Sequence, residues 1–153
     1  MAFKVTSSAV DAGGFLPCWY SRTSNNSSPP IGWANAPRGT VAVAVVCEGE
    51  APGGRLTHWI IYNLPPEPPG IYGGLPVEPD LENGAGQGVN SFGVPGWTGP
   101  ENTGEVEVLT FTVFALDRRL DIPSGSDAET LRRTMDGAVI ATGGFTAKYL
   151  GNP

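Results

Sequence analysis

Three apolar runs stand out along the chain, and each reads as a β-strand. Val41-Ala42-Val43-Ala44-Val45-Val46-Cys47 is rich in β-branched residues and almost continuously apolar, the pattern of a strand buried on both faces. It gives way to Glu48-Gly49-Glu50-Ala51-Pro52-Gly53-Gly54, which reads as a turn or loop. A second run, Thr57 to Leu64, stops at Pro65-Pro66, and a third extends from Glu105 to Leu116. Residues 1–40 alternate short β-like pieces with turn chemistry. Pro and Gly dominate residues 65–100, an irregular stretch of the length that often carries function. One helix is predicted near residues 126–141. Ser126-Asp127-Ala128-Glu129 has the capping-box pattern, and Leu131, Met135 and Val139 recur every four residues. With no internal repeat and no linker, residues 1–153 read as a single domain of mostly β structure.

Composition narrows the function classes. Gly (22) and Pro (15) are abundant but lie between apolar runs, as turns of a loop-rich β-protein do. The formal charge is −6, with only 9 Lys and Arg scattered along 153 residues. No basic stripe is present to neutralise a nucleic-acid backbone or to hold an anionic lipid surface. The longest uninterrupted apolar run, Val41 to Cys47, is far too short to span a membrane. The start, MAFKVTSSAV, lacks the apolar stretch of a secretory signal, so a cytoplasmic location is expected. Cys18 and Cys47 are then expected as free thiols, and neither stands in a C-x-x-C.

Candidate chemistry follows from strand parity, since side chains along a strand alternate faces. Glu48 should share a face with Val46 and Ala44, His58 with Ile60 and Tyr62, and Glu107 with Leu109, Phe111 and Val113. Each ionisable group thus lies at or near the end of a mostly apolar strand face, as at a pocket rim. His58 is the single histidine of the chain, which argues against a metal site. Gly88-Val89-Asn90-Ser91-Phe92-Gly93 opens no predicted helix and is not a dinucleotide fingerprint. No cofactor is expected.

Five motifs, in order, resemble those of the phosphatidylethanolamine-binding (Raf-kinase-inhibitor-like) family, particularly its bacterial members. Asn26-Ser27-Ser28-Pro29-Pro30-Ile31-Gly32-Trp33 resembles the family's Ser-Pro-x-Leu/Ile-x-Trp stretch, and Glu48-Gly49-Glu50-Ala51-Pro52 its Asp-Pro-Asp-Ala-Pro turn. His58-Trp59-Ile60-Ile61-Tyr62-Asn63-Leu64-Pro65 matches its His-Trp-x-x-x-Asn-Leu-Pro. Gly88 to Gly99 and Phe111 to Asp117 match the Gly-rich block and the strand that follows it, and the tail Thr142 to Tyr149 is similar to the family's ending. The resemblance implies a central antiparallel sheet packed on a smaller one, with a C-terminal helix. It also implies a pocket for phosphate-like groups. Carried over by position, the ligand-binding residues are Glu48, Pro52, His58, Trp97, Gly99 and Leu109.

The departures from the family pattern matter as much. Its second pocket histidine aligns with Glu107, its pocket tyrosine with Leu109, and a histidine of its C-terminal helix with Ala138. Phosphate recognition needs donors converging on oxygen, and these exchanges remove them. The expected function is therefore small-molecule binding, with neutral or cationic ligands preferred over phosphate. The alternative is a cofactor-independent biosynthetic enzyme in a natural-product pathway: an isomerase, a cyclase or a carbon–carbon bond-forming lyase. It would use His58 with Glu48, Glu50 and Glu107 for acid/base chemistry. The expected partner is a small-molecule ligand or substrate, with a homodimer compatible, and neither nucleic acid nor a membrane span.

Overall fold

The computed structural model describes residues 2–150. Its elements are, in order, β1 (Lys4–Thr6), a 3-10 turn (Cys18–Tyr20), β2 (Ile31–Ala34), β3 (Ala42–Ala51), β4 (Gly54–Leu64), β5 (Gly70–Ile71), β6 (Gly86–Gln87), β7 (Glu107–Leu116), α1 (Ala128–Met135) and β8 (Val139–Tyr149). They form a five-stranded sheet in the order β6-β4-β3-β7-β8 and a three-stranded sheet in the order β1-β2-β5, with every pairing antiparallel. The three predicted strands all lie in the larger sheet.

β3 is the middle strand of that sheet, and its sequence explains why. Ala42 to Cys47 are all buried, odd positions on one face and even positions on the other. Val43, Val45 and Cys47 pack with Trp59, Ile61, Phe111 and Val113 and with Val5, Ile31 and Trp33 of the small sheet. Ala44 and Val46 pack with Ile60, Tyr62 and Leu116, and with Leu131 and Met135 of α1. Each large side chain so buried contributes about 1.5–3 kcal/mol. The small sheet therefore covers one face of the large sheet and the helix covers the other. No helix among the described residues is long and apolar enough to cross a membrane.

Several boundaries differ from those expected: β4 begins at Gly54 rather than Thr57, and β7 at Glu107 rather than Glu105. Glu48 to Ala51 continue β3 instead of forming a loop, because a hairpin with Ala51 opposite Gly54 turns the chain at Pro52-Gly53 alone. The helix is also shorter, and it is capped one residue later than the capping-box pattern implied. Asp127 is the N-cap, accepting from Thr130 N–H at 2.8 Å, while Ser126 Oγ donates to Pro123 O. Gly137, at φ 81°, takes the chain out of the helix at its C-terminal end. Val139 thus belongs to β8, which pairs with β7 from Leu116↔Val139 to Glu107↔Tyr149. The four-residue spacing that suggested a continuing helix is there a coincidence. Paired Gly143-Gly144 weaken the strand signal, but a Cβ at Gly144 would overlap Phe111 O, so packing requires the glycine.

Asn63 fastens the end of β4 to the segment before α1. Its side chain accepts from Leu120 N–H at 2.7 Å and donates to Leu120 O at 3.0 Å, and its backbone sits at φ 57°. Asn63→Ala leaves both buried Leu120 groups without these partners, and each such loss costs about 1–3 kcal/mol. Urea denaturation is expected to show a loss of about 2–4 kcal/mol, whereas a loss within experimental error would remove Asn63 from this role.

Candidate functional site

The site is created by an irregularity in the β3–β4 pairing. Cys47 lies opposite Trp59, but Glu48 lies opposite Thr57, so β4 carries one extra residue, and that residue is His58. Such a bulge re-aims the side chain it contains. The imidazole turns toward Gly49, on the face that carries Cys47, Trp59 and Leu109, and away from Ile60 and Tyr62. The parity expected from the sequence is corrected here, because alternation holds only while the strand is regular.

The loop Gly88 to Gly99 then closes over the bulge. Thr98 N–H donates to His58 O at 3.1 Å, and Thr98 O lies 2.7 Å from His58 Nδ1. Asn90 organises the loop from within. Its amide donates to Gly96 O and Thr98 Oγ1, and its oxygen accepts from Phe92 N–H and Val94 N–H. Thr57 and Ser91 exchange two further bonds across the gap, one through Ser91 Oγ and one through Thr57 O. Trp97 is buried, 6.1 Å from the imidazole between ring centroids, and its Nε1 donates to Tyr20 O. Gly99 is required by space, since a Cβ would overlap Tyr20 O.

Glu107, the first residue of β7, completes the arrangement. Its Oε2 stands 2.5 Å from His58 Nε2, with His58 fully buried and the Glu107 side chain 13% exposed. Thr98 O can only accept, so Nδ1 carries a hydrogen. A hydrogen bond at Nε2 then needs one proton between imidazole and carboxylate. Written as imidazolium–carboxylate or as imidazole–carboxylic acid, the pair has no net charge.

The other predicted carboxylates do not join it. Even positions of β3 face α1, so Glu48 pairs with Arg132 of that helix at 2.8 Å. Glu50 pairs with Arg55 at 2.5 Å on the exposed end of the hairpin, where Pro52 also lies. One carboxylate, not three, faces His58. Leu109 is a fully buried neighbour in the core, and Ala138 is buried on the α1 side of the sheet. Sequence reasoning passed over Thr98, Gly49, Phe92 and Arg22. The Arg22 guanidinium lies 4.1 Å from the Phe92 ring centroid and bonds to Glu101 and Gly99 O, so this cation is already engaged. Phe92 is in turn 6.1 Å from His58, ring to ring. A separate cleft of about 360 Å³ over the small sheet, lined by Thr6, Ile31, Pro69 and Tyr72 among others, shares no residue with this group.

The fold and the site together define a two-sheet antiparallel β-protein with a bulge-borne histidine under a Gly-rich loop. The family model described as phosphatidylethanolamine-binding protein matches residues 6–150, and the chain belongs to that family. It is 32% identical over 142 residues to a UPF0098 protein of Methanothermobacter thermautotrophicus, covering 92% of this chain and 94% of that one. It is also 32% identical over 133 residues to the UPF0098 protein YbhB of Escherichia coli, covering 82% of each. Among solved structures, a phosphatidylethanolamine-binding protein homolog from Chlamydia trachomatis superposes with a TM-score of 0.88 at 29% identity, over 99% of both chains. YbcL of Escherichia coli, described as a new member of the mammalian family, gives 0.86 at 26% identity, over 99% of this chain and 100% of that one.

Cys47 lies beneath the pair, fully buried, and Cys18 is exposed; both are free thiols. Burial pushes the Cys47 thiol well above its ordinary value of 9.0, and the Glu107 and Glu48 carboxylates add to the effect. Below that value the thiol is protonated whether the chain is folded or not. Above it the unfolded thiol ionises first, so this contribution to stability is present at neutral pH and is lost as pH rises. Native protein treated with iodoacetamide is expected to gain one adduct, at Cys18, and a second only after unfolding. Cys47→Ala should flatten the alkaline fall in stability; an equally steep fall in that variant would assign it to other groups.

Proposed function

We propose that the chain is a small-molecule-binding protein whose His58 site prefers neutral or cationic ligands over phosphate. The observation that carries this reading is Glu107 at 2.5 Å from His58 Nε2. A bound oxyanion would take a hydrogen bond from that nitrogen, and here a carboxylate of the chain itself takes it. The pair is electrically neutral, so it offers a dianion no attraction, while Arg22 is engaged by Glu101. One charge-assisted bond forgone is worth about 1.5–3 kcal/mol, or roughly one to two orders of magnitude in affinity. Neutral ligands with an apolar body incur no such loss against Phe92, and the partly exposed Glu107 carboxylate tolerates a cation.

The acid/base alternative rests on the same two residues. An imidazole oriented at Nδ1 and bonded to a carboxylate at Nε2 can move a proton during isomerisation, cyclisation or carbon–carbon bond formation. It ranks second because His58 is fully buried and both of its nitrogens already have partners.

Thermal unfolding with millimolar phosphate or phosphoethanolamine, against a salt control of equal ionic strength, is expected to show no specific stabilisation. Saturable stabilisation by either would overturn the preference and return the site to oxyanion binding. Native mass spectrometry of freshly purified protein provides the positive arm, with a co-purified neutral or cationic molecule as the expected result.

A further inference from the structure

A glycine, Gly49, stands near the end of the central strand of the large sheet, at a buried position. Gly49 is paired on both sides, with Leu56 of β4 and Leu109 of β7. A glycine inside a strand weakens it and commonly marks a place where another group must approach closely. Its backbone is not in the left-handed region, so conformational freedom does not call for it. Space does. A Cβ at position 49 would overlap Glu107 Oε2 and would lie 2.8 Å from Glu107 Cδ and 2.7 Å from His58 Nε2. The room that a side chain would fill is occupied by the carboxylate on its way to the imidazole.

We infer that Gly49 determines the specificity of this site: by lacking a side chain it admits the Glu107 carboxylate to His58 and so sets the site against external oxyanions. The inference rests on the proposed reading of the His58 site and names the residue that creates its selectivity. Glu107 reaches His58 only because position 49 is empty, and it is the end of a flexible, partly exposed side chain that can swing to solvent. His58 is held in place by Thr98 O at its other nitrogen. Replacing Gly49 by alanine should therefore eject the carboxylate and crowd Nε2, whereas removing the carboxylate with Glu107→Ala, Gly49 retained, should leave Nε2–H open to an added anion.

Because His58 is the single histidine of the chain, its ring protons can be read without ambiguity. In the wild type, nitrogen-15 histidine NMR should show a far-downfield proton from the short bond to Glu107. In Gly49→Ala that signal should vanish while the Nδ1 proton bonded to Thr98 O remains. Titration with inorganic phosphate should give saturable binding to Glu107→Ala at least tenfold tighter than to the wild type, and Gly49→Ala/Glu107→Ala should lose that gain because the methyl fills the acceptor position. A folded Gly49→Ala that keeps the downfield proton overturns the inference, as does a Glu107→Ala that gains no phosphate affinity. Phosphate binding by the wild type itself would instead overturn the proposed function, so the two failures are distinguishable. Should Gly49→Ala fold poorly, adding Glu107→Ala removes the nearer of the two groups its methyl meets and is expected to recover part of the lost stability; no recovery would sink the claim that Gly49 exists to seat this carboxylate.

Discussion

The hydrogen bond between His58 Nε2 and Glu107 Oε2 joins β4 to β7, strands that are not neighbours in the sheet. It crosses β3, which lies between them, at the one position of β3 that has no side chain, Gly49. Three conditions meet in this contact. The bulge must turn His58 to the small-sheet face, β7 must begin with its acidic side chain on that same face, and the intervening strand must leave room. Loss of any one would leave a histidine buried with an unfilled nitrogen, a costly arrangement in a low-dielectric interior.

The Gly-rich loop is the second support, and it depends on the first. Thr98 meets His58 at both its carbonyl and its ring, so the loop registers on the bulge as much as it covers it. Asn90 gives the loop an internal frame, and Trp97 anchors it by stacking on Phe111 and meeting Trp59 edge-on. A loop so tied presents a fixed floor and rim, and preorganisation of this kind lowers the ordering cost of binding.

The same sheet that assembles this pair separates it from the remaining acidic residues. Glu48 crosses to α1 and bonds to Arg132, and Glu50 follows it to the exposed hairpin and bonds to Arg55. Both are partly or fully exposed ion pairs, which contribute little to stability. The family membership accounts for the architecture, two antiparallel sheets with one helix near the C-terminus.

Much of this was legible in the chain. The β-branched run 41–47, the Pro-Pro stop after Leu64 and the alternation from Glu107 onward carried three strands of the central sheet, because period-two burial is a local property of sequence. The placement of Glu107 with Leu109 and Phe111 was readable for the same reason. The motif around His58 marked the residue at the centre of the candidate site. What the sequence could not carry was the side of the sheet on which His58 points. A bulge adds one residue to one strand relative to its partner, and no single strand records its partner's register. Nor could it show that Gly49, Glu107 and Thr98 meet at one imidazole, since these lie 9, 49 and 40 residues from it and only the folded pairing brings them within bonding distance. The residue types and the strands were therefore determined by the sequence alone, while the grouping of side chains in the candidate site was decided by tertiary register.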